Sequence, residues 1–252
     1  MTNSELYDTI FSRRSIRKYD MTPLPTKTIE DIKEYASRLK VLDESIEYEL
    51  VYMGTEDVKN LLPIKAPHYI CFYSQKKDNY LMNAGFVLQQ MDLYLSRSNL
   101  ASCWLGMAKP SKTVPEQKSG MEFVIMLAFG NTAEPIHRAK TSEFKRNSYS
   151  EISSVVGGEK LLEPVRLAPS ASNTQSWFFS GEVNSIIVSR KKLNFLKAAM
   201  YGKMNQIDIG IALCHLWLSV DHEVKVASYD FNKADAPSGY EFMVKIKIGK
   251  DI

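Results

Sequence analysis

Apolar residues recur at two periods along the chain, and segments of the two kinds alternate. Leu6, Tyr7, Ile10 and Phe11 share one face of a helix over residues 5–12. "SIRKYD" then reads as extended. "PLPTKTIEDIKEYASRLK" sets Pro25 and Thr26 before an amphipathic helix over residues 28–39, a good start signal. "IEYELVYM" alternates and reads as a strand, as does "HYICFYS". Residues 83–96 are apolar on most sides, the pattern of a buried helix. "SCWLGM" reads as an apolar turn or loop and "EFVIMLAFG" as a buried strand. The second half runs similarly. A helix over 159–168 precedes a polar loop. A strand follows over 185–189, then a short helix near 194–199 and a long helix over 208–220. "KVASYD" and "EFMVKIKIG" close the order as strands, and the alternation in "MVKIKI" turns one face to water. Strands grouped with long buried helices predict an α+β fold.

Two pairs of segments resemble each other. "NAGFVLQQMDLYL" (83–95) lies over "DIGIALCHLWLSV" (208–220), with Gly at the third place of both. "EFVIMLAFG" (122–130) lies over "EFMVKIKIG" (241–249), each opening on Glu-Phe and closing on Gly. A weaker match pairs "IEDIKEYA" (29–36) with "KLLEPVRLA" (160–168). The offsets of the first two pairs are 125 and 119 positions, so the repeating unit exceeds 100 residues. A unit of that length predicts a duplicated domain, with halves 1–145 and 146–252 in one unit, rather than a solenoid. The connector "NTAEPIHRAKTSEFKRNSYSEISS" is polar but too varied for a flexible tether.

Composition narrows the partners. A chain of 252 residues with 44% hydrophobic and 24% charged residues has the makings of a globular core. A net charge of +3 does not supply the dense basic stripe of a nucleic-acid binder. No apolar run approaches a membrane span, and the N-terminus has no apolar signal stretch, so a cytoplasmic protein is expected. Cys71, Cys103 and Cys214 lie in apolar runs without a CxxC, as buried free thiols do. His68, His137, His215 and His222 are scattered, and no metal site is expected.

Two stretches carry candidate chemistry. In "SRRSIRKYD" an extended backbone would put Arg13, Ser15 and Arg17 on one side, with Ile16 anchoring the other. Guanidiniums and a hydroxyl on one face suit a phosphate, which arginine binds bidentately. The same stretch also suits a solvated basic cap at a helix C-terminus. No Walker loop and no GxGxxG follows a strand, so neither ATP nor a Rossmann dinucleotide is indicated. In "APSASNTQSW", Asn173 and Gln175 each offer donors and an acceptor that match the edge of a heteroaromatic ring. The alternative is a helix-stopping turn in which Ser170, Ser172 and Asn173 bond local backbone.

Taken together, these stretches resemble a known family. "RRSIRKY" before an amphipathic helix resembles the N-terminal signature of the FMN-dependent nitroreductases. "APSASNTQSW" is similar to their APSxxNxQPW loop. "NLASCWLGM" resembles their G-S-C-W-x-G segment beside the flavin, and "FGNTAEPIHRAK" their late strand and basic turn. The nearest match is the subgroup with two fused nitroreductase-like halves. The resemblance implies that Arg13, Arg14, Ser15 and Arg17 meet the FMN phosphate and ribityl end, completed by Arg138 and Lys140. It implies that Pro169, Ser170, Ala171, Asn173 and Gln175 line the flavin, and that the Gly106 backbone N–H faces N5, with Leu105 and Met107 beside it.

The signatures are divided unusually. In ordinary members only the first amphipathic helix separates them. Here the loop signature is missing after that helix and stands after its counterpart in the second half. Family members are usually homodimers with each FMN at the subunit interface, so the division predicts an intrachain pseudo-dimer with one complete FMN site, working as a monomer. The implied activity is hydride transfer from NAD(P)H to flavin N5 and onward to a nitroaromatic, quinone or similar small acceptor, in a ping-pong cycle. A flavin binder without turnover, or related FMN chemistry such as reductive dehalogenation, remains open at this point.

Overall fold

The computed structural model describes residues 1–111, 117–118 and 120–249. The two apolar helical patterns become its two central helices, α3 (Tyr80–Arg97) and α6 (Phe195–His222). Residues 81–93 and 207–220 are buried throughout, which is why neither segment has a polar stripe. Ahead of α3 come α1 (Asn3–Ile10), α2 (Thr26–Ala36), β1 (Tyr48–Gly54), β2 (Val58–Asn60) and β3 (His68–Ser74). Between the long helices lie β4 (Ala101–Leu105), β5 (Ala108–Pro110), β6 (Gln117–Lys118), β7 (Met121–Gly130), α4 (Tyr149–Ile152), α5 (Glu159–Arg166), β8 (Trp177–Glu182) and β9 (Ser185–Lys191). After α6 come β10 (Val226–Asp230) and β11 (Tyr240–Gly249). The architecture is the expected α+β.

Two antiparallel sheets flank the helix pair, and their chain paths correspond. The first runs β1-β3-β7-β4, with β1 and β3 before α3 and β4 and β7 after it. The second runs β8-β9-β11-β10, with β8 and β9 before α6 and β10 and β11 after it. Strand β6 pairs with β7, and β2 pairs with β5 in a separate ribbon. Alternation sorts the first sheet's side chains. Ile70, Phe72, Ile125, Leu127 and Phe129 face the main core, while Tyr69, Cys71, Tyr73, Met126 and Ala128 build a second cluster on the opposite face.

The helices touch at reciprocal glycines. A Cβ on Gly85 would land on the Ile207 carbonyl, and a Cβ on Gly210 on the Met82 carbonyl. Positions 85 and 210 are 125 apart, as are 82 and 207. The same spacing relates two loop anchors. Asn83 Oδ1 accepts the Leu42 N–H at 2.9 Å, and Asp208 Oδ1 accepts the Ala171 N–H at 3.0 Å.

Several sequence expectations are corrected. "SCWLGM" is not a loop throughout, because residues 101–105 form β4, paired with β7 from Ala101↔Gly130 to Leu105↔Met126. Both faces of that strand are covered, so no period of two shows in its sequence. The short helix near 194–199 and the long one over 208–220 are one helix. Gly202 lies inside it, weakening it by about 1 kcal/mol without ending it. The first helix starts earlier than expected, at a capping box between Thr2 and Glu5.

Candidate functional site

The basic motif is fixed from beneath. Ile16 is buried, and its N–H donates to the Ser102 carbonyl of β4 at 2.9 Å. Arg13 is only 1% exposed. Its Nε lies 2.8 Å from Asp92 Oδ2 on α3, although the N–H does not line up well enough for a hydrogen bond. Its Nη2 donates to Ser15 Oγ at 2.9 Å, so Arg13 and Ser15 do share a side. Arg14 is half-buried with a loose 4.0 Å contact to Glu134, and Arg17 is exposed.

Further guanidiniums converge on this motif. Arg138 donates its backbone N–H to the Ser12 carbonyl at 2.7 Å and its side chain to the Arg13 carbonyl. It lies 4.0 Å over the Phe144 ring, and Arg146 lies 5.6 Å from the same ring. Burial, and then the charges of Arg13 and Arg14, pull the pKa of Arg138 down to about 10. Burial, then Arg13, Arg138 and Arg166, do the same to Arg146. Both remain charged at neutral pH. Among the described residues neither has a carboxylate within salt-bridge distance. Lys140 is exposed nearby in the chain.

The polar loop follows α5, whose carbonyls are held by α6: His215 bonds the Pro164 carbonyl at 2.8 Å and Ser219 the Leu161 carbonyl at 2.8 Å. Ser172, Asn173 and Gln175 all have left-handed φ, at 51°, 56° and 46°. Three such non-glycine residues in four positions mark a strained segment held by its surroundings. Arg146 supplies much of that hold, donating to the carbonyls of Ala168 and Leu167 and to Asn173 Oδ1. Asn173 Nδ2 donates to the Lys145 carbonyl, and Gln175 Oε1 accepts the Asn147 N–H. Both amides expected to read a ring edge thus bond the 145–147 segment, and Gln175 is buried. Pro169 is buried, while Ser170 and Ala171 are half-buried. Beneath the loop, burial pushes the Asp208 carboxyl up to about 7. Among the described residues its Oδ2, and Asn205 Oδ1 a turn earlier, have no hydrogen-bond partner.

Gly106 belongs to the same neighbourhood. It is exposed just past β4, and a Cβ there would meet Met204 Sδ at 2.9 Å. Met204 sits one turn before Asp208, so one stretch of α6 lies against both Gly106 and the loop. Leu105 is buried in the second apolar cluster and faces away. Met107, 53% exposed, accepts the N–H of Leu61, which is 80% exposed, and Leu62 adjoins them. Sequence reasoning missed Arg146, Asp92 and Asp208. The signals were the basic run "FKRNS" and single carboxylates inside apolar helices.

Among the described residues no cluster of His, Cys, Asp and Glu could hold a metal, and no helix is long and apolar enough to cross a membrane. Two surface cavities of about 350 and 330 Å³ lie away from the motifs, one beside Lys160, Val183 and Ile248, the other beside Tyr35, Lys40 and Trp217.

Comparison with known proteins adds the following. A family model described as "Putative TM nitroreductase" matches residues 5–220. A "putative nitroreductase" from Thermotoga maritima is similar in structure, with a TM-score of 0.63 at 18% identity over 98% of this chain and 95% of that one. A nitroreductase family protein from Clostridium difficile 630 has a TM-score of 0.45 at 18% identity, over 60% of this chain and 96% of its own. A nitroreductase with bound FMN from Desulfitobacterium hafniense has a TM-score of 0.42 at 14% identity, over 59% and 100%. No curated protein matches the chain.

Proposed function

The chain belongs to the nitroreductase family, and from that premise we propose that it binds FMN and acts as an NAD(P)H-dependent oxidoreductase. The observation that carries this is the guanidinium cluster. Arg138 and Arg146 lie beside Arg13, burial first and the neighbouring guanidiniums second lower the pKa of both, and among the described residues neither has a carboxylate partner. Such a cluster calls for an anion, and a phosphate matches arginine geometry.

On this assignment Arg14, Ser15, Arg17, Arg138 and Arg146 hold the phosphate, with Lys140 at the rim. Arg13, buried against Asp92, steadies the motif beneath them. The ring would lie between Gly106 and the 169–173 loop, with Gln175 tying the end of that loop to Asn147. Along β4 the distance from Ser102, which anchors the phosphate motif, to Gly106 is about 13 Å, comparable to the reach of a ribityl phosphate. The backbone N–H of Gly106 would polarise the flavin near N5. Bound FMN would supply the redox chemistry, a hydride transfer from NADH or NADPH that serves the reduction of a nitroaromatic, quinone or similar acceptor. The exposed apolar side chains of Leu61, Leu62 and Met107 beside Gly106 favour a small apolar acceptor.

We further propose that the chain is an intrachain pseudo-dimer with halves 1–145 and 146–252, and that it works as a monomer with one FMN site. The matching sheet paths, the reciprocal glycines and the paired anchors at 83 and 208 support this. So does the division of motifs, since the phosphate motif lies in one half and the loop in the other.

Anaerobic titration tests the function. Purified protein loaded with FMN should be yellow and should bleach with NADH or NADPH. A flavin that stays oxidised with both would leave a binder without turnover, and protein that takes up no FMN would refute the assignment.

A further inference from the structure

Between α3 and α6 a knot of buried polar groups is centred on Asp92. Asp92 Oδ1 accepts from Ser102 Oγ of β4 at 2.6 Å. Its Oδ2 lies 2.8 Å from Arg13 Nε and accepts from Gln89 Nε2 at 3.2 Å. Gln89 Oε1 accepts the Trp104 indole N–H at 3.2 Å, and Gln89 Nε2 lies 3.1 Å from His215 Nε2. The other ring nitrogen of His215 faces the Pro164 carbonyl, which can only accept. Nδ1 therefore carries the proton, and Nε2 accepts from Gln89. Burial holds His215 neutral, with its pKa lowered to about 3.

The knot reaches three separate segments. Through Arg13 it holds the basic motif. Through Ser102 and Trp104 it holds the strand that ends at Gly106. Through Gln89 and His215 it holds α5, which leads into the 169–173 loop. Burying a carboxylate, a guanidinium, an imidazole and an amide is costly compared with packing apolar groups of similar size. The fold does not require it. At the positions 125 residues away, Trp217 corresponds to Asp92, Cys214 to Gln89 and Gln90 to His215. There, among the described residues, Gln90 bonds main-chain groups of Lys40 and Phe86.

We propose that Asp92 is the positioning residue that joins the phosphate motif, the Gly106 strand and the ring-lining loop into one flavin site. The inference rests on the FMN assignment above and adds a joint that no ligand contact would reveal. Asp92 bonds neither Gly106 nor the loop directly, so its effect passes through Ser102 and the Gln89–Trp104 pair to the first and through Gln89 and His215 to the second.

The test uses the full chain, with and without FMN. Asp92→Asn leaves the Arg13 charge buried and unpaired, so the double variant Asp92→Asn/Arg13→Gln, free of both charges, is made beside it. Gln89→Met cuts the links to Trp104 and His215 but spares the ion pair. Hydrogen exchange of the flavin-free protein should quicken at 13–17, 104–106 and 165–173 together in the two Asp92 variants. In Gln89→Met it should quicken at the last two segments alone. With FMN, Gln89→Met should shift the absorbance bands of the bound flavin and weaken binding roughly tenfold. A merely structural role would lower the melting temperature and leave those bands unmoved. Exchange confined to 13–17 in the Asp92 variants would overturn the proposal, as would unchanged bands in Gln89→Met. If the wild-type chain takes up no FMN, the flavin assignment fails, and exchange in the flavin-free protein still decides whether Asp92 is the joint.

Discussion

Gly85→Ala should be among the most damaging single-methyl changes in this chain. Its Cβ would land on the Ile207 carbonyl oxygen, 2.9 Å from the carbonyl carbon and 3.0 Å from the Ile211 nitrogen. All three atoms are main chain of α6, so no rotamer change relieves the contact and the helices must separate. Overpacking of a tight core costs about 1–3 kcal/mol, and a rigid obstacle puts this site near 3. Alanine recovers about 1 kcal/mol of helix propensity over glycine. The net loss is about 2 kcal/mol, or a melting temperature lower by roughly 4–8 °C for a chain of this size. Gly202→Ala is the control, because it is also helical but has nothing within 4 Å of its Cβ. It should stabilise by about 1 kcal/mol. Urea unfolding of both variants gives the comparison at equal slope. A Gly85→Ala protein that unfolds at or above the wild-type midpoint would refute the close approach. Gly210→Ala meets the Met82 carbonyl carbon at 2.7 Å and the Phe86 nitrogen at 2.9 Å and should lose a similar amount. A loss at only one of the two glycines would contradict the twofold relation of the helices.

Further predictions concern the site. Arg138→Ala and Arg146→Ala should each weaken FMN binding about tenfold or more, the worth of a charge-assisted bond. Flavin fluorescence quenching measures this, and unchanged affinity in both would sink the phosphate assignment. FMN titration should saturate at one per chain in a monomer, and a stoichiometry of two would remove the single-site proposal. Asp208 makes stability depend on pH. Its folded pKa of about 7 exceeds the ordinary aspartate value of 3.8, so the folded state keeps a proton that the unfolded chain releases. The resulting penalty grows as pH rises through that window, to about 4 kcal/mol at most above it. Asp208→Asn, which copies Asn83, should therefore gain on wild type at pH 8 and not at pH 4, and a difference flat with pH would refute the buried carboxyl.

Strands such as "HYICFYS" were legible in the sequence because their pattern contrasts with the polar turns around them. Strand β4 was not, because it is covered on both faces. The continuity of α6 was hidden by Gly202 and a polar stretch, which the rest of the helix carries through. The site motifs were legible as residue types, while their partners were not. Whether Asn173 aims at a ring or at Arg146 depends on where residues 145–147 come to lie, and that is a tertiary fact. Arg13 shows the same limit. Its type suggested a ligand contact, yet its burial against Asp92 turns it toward the core.

On the assignment of the chain as two fused halves, the buried knot has a consequence that a homodimer would not permit. In a symmetric dimer every substitution appears twice, so a carboxylate placed at one interface site is also placed at the other. Here positions 92 and 217 differ. Asp92 pairs with Arg13 beside the phosphate motif, while Trp217 packs against Phe86 and carries Lys40 over its ring. One end of the helix pair is polar and joins three site segments. The other is filled by an aromatic side chain with ordinary core packing. The costly group stands where it can position a ligand site and is absent at the equivalent place that has lost both motifs. Fusion thus allows one site to be specialised while the other end contributes to stability.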